Sequence, residues 1–81
     1  MRLDKYLKVS RIIKRRTLAK EAAEHQKIEI NHKLSKPSAS VVIGDILTLH
    51  LGAKTITVKV TSLTLIKDQL MYELLSEEKR P

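Results

Sequence analysis

The sequence contains no cysteine, phenylalanine or tryptophan, and it has only two tyrosines, two glycines and two prolines. The lack of cysteine excludes disulfide bonds, thiolate metal sites and cysteine catalysis. Two isolated glycines cannot form a glycine-rich phosphate loop. No apolar run reaches the ~18 residues of a membrane span, and the N-terminal segment has no signal-peptide core. We therefore expect a cytoplasmic protein with no part in a membrane.

The length of 81 residues, with 42% hydrophobic residues, suffices for one domain with a thin core. We expect this domain to span residues 1–76. The charged residues 77–81 are expected to form a frayed tail. No internal repeat or linker is visible, and nothing in the pattern indicates an assembly larger than a monomer.

Positive charge is concentrated at the start of the chain. The first twenty residues carry eight basic side chains and one acid, Asp4, whereas the remaining residues carry eight basic and eight acidic side chains. The net charge of +7 therefore belongs to one segment. A neutral body with one basic end has the electrostatic face that a polyanionic partner requires. The basic residues of this segment are Arg2, Lys5, Lys8, Arg11, Lys14, Arg15, Arg16 and Lys20.

Two helices are predicted at this basic end. Within residues 3–13, Leu3 and Leu7 lie four apart, and Tyr6 extends their apolar stripe at helical spacing. Within residues 16–25, alanines supply a narrow apolar face that permits close packing against another element. The apolar period then changes to two, which predicts strands. The predicted fold is α+β, with two N-terminal helices packed on a small, mostly antiparallel β-sheet. Strands are expected at residues 28–30, 46–51, 55–60 and 71–75, a turn at 31–33 and an irregular connection at 35–40.

The basic segment predicts binding to RNA. Lysine and arginine neutralise phosphates and release counterions, and a guanidinium can also hold a phosphate with two hydrogen bonds. No helix-turn-helix spacing is present, which favours RNA over DNA. The scarcity of aromatic residues argues against a sheet that stacks unpaired bases and favours recognition of phosphates and shape. Asp4 is expected to favour the start of the first helix through the helix dipole, to orient a neighbouring arginine, or to accept a hydrogen bond from a base or ribose.

Nothing in the sequence indicates catalysis, and no metal or other cofactor is expected. The histidines, His25, His32 and His50, lack the spacing of metal ligands. Two alternatives stay open. In the first the chain is the detached RNA-targeting subunit of an RNA-modifying enzyme, and in the second it is a protein that binds DNA or a membrane surface. The basic helices lack the apolar face of an interfacial helix, so a membrane is the weakest alternative.

Four segments resemble the RNA-binding domain named after ribosomal protein S-four. They match that domain in order and spacing across residues 1 to about 52. Because the chain is little longer than the domain, it is most similar to the free-standing bacterial RqcP and heat-shock protein fifteen group. The segments are Arg2-Leu3-Asp4-Lys5-Tyr6-Leu7, Lys14-Arg15-Arg16-Thr17-Leu18-Ala19-Lys20-Glu21, Ile28-Glu29-Ile30-Asn31 and Gly44-Asp45-Ile46-Leu47.

The resemblance implies a factor that binds the large ribosomal subunit carrying an obstructed peptidyl-tRNA and contacts ribosomal RNA and tRNA. For the RqcP branch it implies support of C-terminal alanine tailing of the stalled chain, beside a separate tRNA-recruiting factor. By position, Arg2, Asp4 and Arg16 match the family's RNA-contacting residues. The adjoining surface is matched by Arg11, Arg15, Thr17, Lys20 and Asn31.

The sequence departs from the family pattern at Gln26 and His32, where glycine is usual. Gln26 follows the second helix, at the position of a left-handed cap, and His32 lies in the turn after Asn31. If φ stays positive there, a residue other than glycine costs about 1 kcal/mol. The conformation of the Asn31 turn therefore depends on whether His32 accepts a positive φ.

Overall fold

A computed structural model of the chain describes residues 1–79. The five strands form one sheet in the order β2-β1-β3-β4-β5, and every neighbouring pair is antiparallel. The predicted α+β fold of two helices and an antiparallel sheet is confirmed. Within the described residues the longest helix has nine residues, far short of a membrane span. The elements are α1 (Leu3–Val9), α2 (Arg16–Glu24), β1 (Ile28–Ile30), β2 (Lys33–Leu34), β3 (Ile46–Leu51), β4 (Lys54–Val60) and β5 (Tyr72–Lys79).

Helix α1 buries the predicted apolar stripe but ends four residues earlier than predicted. Leu3, Tyr6 and Leu7 are fully buried. The helix stops because Arg11 adopts a φ of 66°, and its amide donates to the carbonyl oxygen of Lys8 at 3.0 Å. No glycine or proline marks this end, so the helical spacing of Ile13 was misleading: Ile13 still packs against the core, but from outside the helix.

Helix α2 packs through two small residues. Ala19 and Ala23 are its buried positions, and their short side chains let the helix approach α1 closely. The helix ends at Glu24, one residue before the predicted end. Gln26 follows with a φ of 59°, which is the left-handed conformation that the family's usual glycine favours.

Strand β2 is absent from the sequence prediction, which placed a turn at 31–33. Asn31 and His32 have φ values of 51° and 68°, so these two residues alone form the turn, and Lys33 already pairs with Ile30. Two successive positive φ values are typical of a tight hairpin turn, for which Asn-Gly is the usual sequence. Because His32 replaces that glycine, the hairpin signal was weak.

The sheet supplies five of the twelve buried hydrophobic residues of the described core, as many as the two helices together. Strands β3 and β4 form the predicted hairpin, and alternate residues on one face, Leu47 and Leu49 on β3 and Val58 and Val60 on β4, are fully buried. The opposite face carries polar residues, as a half-covered antiparallel sheet requires. The buried face is the one on which the helices pack.

Strand β5 is longer than predicted. It continues to Lys79, so residues 77–79, expected in a frayed tail, pair with β4 instead. Glu77 lies opposite Ile56, and its carboxylate forms an ion pair with the ammonium of Lys54 at 3.2 Å. This cross-strand pairing stabilises the extended conformation of the charged residues. Residues 80–81 of the expected tail lie outside the described residues.

Candidate nucleic-acid interface

All eight basic residues of the first twenty are exposed. The predicted residue Thr17 is exposed as well, at the start of α2. The apolar stripe of α1 turns inward, so the lysines of this helix, Lys5 and Lys8, are left on the outer surface. The charge predicted from composition therefore lies on the accessible surface of the two helices and the segments beside them, which we call the helical face.

A buried carboxylate organises part of this face. Asp4 has a side chain that is only 3% exposed, yet it faces two arginines whose side chains are each about half exposed. The guanidinium of Arg2 donates two hydrogen bonds to it, from Nε to Oδ1 and from Nη2 to Oδ2, both at 3.1 Å. Nη2 of Arg16 lies 3.5 Å from Oδ1. We call these three residues the Asp4 clamp.

The Asp4 carboxylate remains ionised near neutral pH. Burial by itself raises the pKa of Asp4, since it disfavours the charged form. The hydrogen bonds from Arg2 and from the amide of Lys5 at 2.7 Å, together with the charges of Arg16 and Arg2, outweigh burial, and the pKa lies below its ordinary value. The hydrogen bond to Asp4 in turn raises the pKa of Arg2.

The clamp joins two helices that are separate in the sequence. Arg2 precedes α1, Asp4 lies in its first turn, and Arg16 begins α2. Two of the roles predicted for Asp4 have a structural basis. It accepts hydrogen bonds that orient Arg2, and as a carboxylate in the first turn of α1 it faces the positive end of the helix dipole. Two planar guanidinium groups are thus fixed side by side with their outer edges free, which suits them to hold phosphates.

Backbone hydrogen bonds also hold the chain at the start of α1. The amides of Leu3 and Asp4, which begin α1 and have no partner within it, donate to the carbonyl oxygens of Ala39 and Pro37 at 2.8 and 3.1 Å. The amide of Val41 donates to the carbonyl oxygen of Met1 at 2.8 Å. The irregular segment predicted at 35–40 thereby holds the start of α1 and the base of the clamp.

A second basic group lies at the other end of α1. Lys8, Arg11 and Lys14 surround a groove of about 500 Å³, together with Val9 and with Leu65 from the segment after β4. We call these three basic residues the Arg11 group. The early end of α1 at Arg11 brings them together, because the chain turns there and returns Lys14 to the same side. Within the described ion pairs, none involves these three cations.

The predicted residue Asn31 has a different setting. Its Oδ1 accepts a hydrogen bond from the amide of Ile46 at 2.9 Å, and its Nδ2 donates to Oδ1 of Asp45 at 3.1 Å. Both polar atoms of the side chain therefore hold the β1–β2 turn against the start of β3. No described hydrogen bond joins Asn31 to the helical residues, so its geometry indicates a structural role.

A groove that the sequence did not predict lies beside the Asp4 clamp. It has a volume of about 660 Å³ and lies between α2 and residues 34–38. Arg2 and Lys20 line it from the helical side, and Lys36 lines it from the other. We call it the 34–38 groove. The sequence signal was one lysine in an irregular segment, which by itself indicates nothing. Within residues 1–79 no three acidic or histidine side chains are arranged to hold a metal ion.

Comparison with known proteins identifies the family. The family model described as S4 domain matches residues 1–47, more than half of the chain. The chain belongs to the S4 domain family. This S4 domain is 53% identical to the RQC P-site tRNA stabilizing factor of Bacillus subtilis, with 98% of the chain and 96% of the relative covered. It is 49% identical to the protein of that name from Listeria innocua, with 98% and 90% covered.

The same S4 domain resembles the solved, trimeric structure of Vibrio cholerae heat shock protein 15, with a TM-score of 0.78 and 33% identity over 94% of this chain and 82% of that one. The resemblance to the RqcP and heat-shock protein fifteen group, stated from four sequence segments, is confirmed.

Proposed function

We propose that this protein binds the large ribosomal subunit that carries an obstructed peptidyl-tRNA, contacts ribosomal RNA and tRNA there, and supports ribosome-associated quality control, including C-terminal alanine tailing of the stalled chain. The observation that carries the proposal is the Asp4 clamp, which holds an arginine that precedes α1 and an arginine that begins α2 on one carboxylate. Support comes from relatives of nearly the same length, about half identical, whose name is RQC P-site tRNA stabilizing factor.

The proposed mechanism is binding without chemistry. The clamp and the Arg11 group neutralise phosphates on RNA segments that approach the helical face, and the released counterions favour association. Because Asp4 holds Arg2 and Arg16 before contact, these two side chains lose little entropy on binding. The protein thereby stabilises one arrangement of tRNA on the ribosome, acts in the cytoplasm as a single domain that extends through β5 to Lys79, and neither makes nor breaks a bond.

The partners follow from this mechanism. They are ribosomal RNA of the large subunit, peptidyl-tRNA and, for tailing, a separate tRNA-recruiting factor. We propose that the free protein is a monomer, because a net charge of +7 concentrated on one face opposes self-association through that face. Sedimentation equilibrium without RNA checks this, and a trimer, as in the Vibrio cholerae relative, would contradict it.

The decisive test is sedimentation of tagged protein through a sucrose gradient of cell lysate at two salt concentrations. Wild type is expected to migrate with free large subunits at low salt, and higher salt is expected to release it. Arg16→Ala removes one fixed guanidinium, and we expect about a tenfold loss of affinity, near the lower end of the range for a well-placed contact. Lys59→Ala is the matched control, since it removes a charge from the exposed residue of β4 that lies between the buried Val58 and Val60.

Each result of this experiment has a consequence. If wild type remains at the top of the gradient at low salt, binding to the ribosome is refuted. If Lys59→Ala releases the protein as readily as Arg16→Ala, charge alone matters and the clamp has no specific role. If the tagged protein instead migrates with a catalytic partner away from ribosomes, it is the targeting subunit of an RNA-modifying enzyme.

A further inference from the structure

The 34–38 groove combines apolar and cationic side chains. Its apolar lining includes Ala23 of α2, Leu34 and Pro37, and Leu34 is 58% exposed although it is a large hydrophobic residue. Covering the apolar surface of Leu34 removes it from water and would favour binding. A ligand that covers it would need an apolar surface of its own, which a sugar–phosphate backbone does not have.

One wall of the groove is a fixed guanidinium. Arg2 lines the groove while two hydrogen bonds hold it to Asp4, and half of its side chain is exposed. A planar guanidinium can stack on a nucleobase as an aromatic ring does, and fixing its plane beforehand removes the entropy cost of ordering it. A protein without phenylalanine or tryptophan can therefore still bind a base.

The charges of the groove fit a nucleotide. Arg2, Lys20 and Lys36 contribute three positive charges, and the one acidic residue of the lining is Glu24, whose carboxylate lies 4.0 Å from the ammonium of Lys20. The groove thus keeps an excess of positive charge beside its apolar lining. Its volume of about 660 Å³ leaves room for a base and its phosphate.

We propose that the 34–38 groove binds one unstacked nucleotide of the bound RNA. The base contacts Leu34 and Pro37 and stacks on the plane of Arg2, and the phosphate lies near Lys36. This inference rests on the proposed function, because it assumes that the helical face binds RNA. It adds a requirement that phosphate contacts do not impose: the RNA must offer an unpaired base beside the helix that the clamp contacts.

The test compares two RNA hairpins that differ by one nucleotide. One has a fully paired stem, and the other has the same stem with a single bulged 2-aminopurine. Affinities are measured for wild type, Leu34→Asp and Lys36→Ala. Lys59→Ala is the control for loss of one exposed lysine, and Arg16→Ala is the control for general RNA binding. Circular dichroism checks that each variant is folded, which is expected because both groove positions are exposed.

Wild type is expected to bind the bulged hairpin about tenfold more tightly than the paired one, as stacking of one base supplies. Leu34→Asp and Lys36→Ala should each lose most of this preference and change binding to the paired hairpin little. The 2-aminopurine fluorescence should change when wild type binds, and Leu34→Asp should abolish that change. Lys59→Ala should keep the preference.

Three results would overturn the inference. If wild type binds the two hairpins with equal affinity and Arg16→Ala weakens binding to both, the groove does not bind a base, and the proposed function is unaffected. A preference that survives in both Leu34→Asp and Lys36→Ala places the base elsewhere. Failure of wild type to bind either hairpin at low salt refutes RNA binding, and the groove proposal with it.

Discussion

The first twenty residues carry a charge excess equal to that of the whole chain, whereas the residues that follow carry balanced charge and eight of the twelve buried hydrophobic residues. Helices of seven and nine residues are too short to be stable alone in water, and like charges destabilise them further. The sheet therefore makes the basic surface possible, and the helices make it useful. Stability and recognition lie in different parts of one small domain.

The largest expected effect on stability comes from weakening the packing of the helices on the sheet. Leu7→Ala removes a fully buried side chain by which α1 packs on the sheet, and we expect the free energy of unfolding to fall by about 2–5 kcal/mol. Urea denaturation followed by circular dichroism measures it. The control is Leu18→Ala on α2, where the side chain is 49% exposed and a change within about 0.5 kcal/mol is expected. If Leu7→Ala lowered the free energy of unfolding no more than Leu18→Ala does, the stability of α1 would not depend on its packing against the sheet.

A second prediction separates orientation from charge. Asp4→Asn makes the helical face more positive, so a purely electrostatic surface would bind RNA more tightly. If the carboxylate acts by holding Arg2 and Arg16, the affinity should instead fall, by about threefold to tenfold, because the charge-assisted hydrogen bonds from Arg2 and the ion pair with Arg16 are lost. Titration with a fluorescent RNA hairpin measures the direction. Tighter binding of the hairpin by Asp4→Asn would show that Asp4 does not act by orienting the arginines.

The same carboxylate should make stability depend on acid pH. The pKa of Asp4 is lower in the folded protein than in the unfolded chain, so its contribution is present above the unfolded value of about 4 and is lost as the pH falls through the folded value. Thermal unfolding of wild type and Asp4→Asn between pH 2 and about pH 6 tests this. The difference between them should shrink toward the acid end, and a constant difference would contradict the assignment.

A smaller effect concerns the contact between α1 and the segment before β5. Tyr6 is fully buried, and its hydroxyl donates to the carbonyl oxygen of Met71 at 2.7 Å. Tyr6→Phe should cost about 1 kcal/mol, the net worth of one hydrogen bond. Burial, with the neighbouring Tyr72, raises the pKa of Tyr6 to about 12. Wild type should therefore lose stability from about pH 10 to 12, and Tyr6→Phe should lose less of it.

The smallest expected effect concerns the sheet alone. His32 has a φ of 68° in the β1–β2 turn, so His32→Gly should stabilise the protein by about 1 kcal/mol or less by relieving the left-handed conformation. RNA affinity should not change, since the Asn31 hydrogen bonds hold the turn and no described contact joins it to the helical face. A change in RNA affinity without a change in stability would assign His32 to the interface.

The sequence predicted those features that depend on local periodicity. The two helices, the β3–β4 hairpin and the basic face follow from spacing and composition. The end of α1 was missed because Arg11 takes a left-handed conformation without glycine, and β2 was missed because His32 obscures the turn. The Asp4 clamp joins Asp4 to Arg16, twelve positions away, and the 34–38 groove joins Arg2 to Ser38, thirty-six positions away. Such contacts depend on how the helices pack, which no local pattern encodes.

The one-sided charge also determines how the molecule arrives at its target. A neutral sheet with cations at one end has a large electric dipole, and the field of a polyanion exerts a torque on it before the surfaces touch. Collisions with the sheet facing the RNA are thereby converted into productive ones by rotation. Added salt should then slow association more than it speeds dissociation, and moving a single lysine from the helices to the sheet should slow encounter at unchanged net charge.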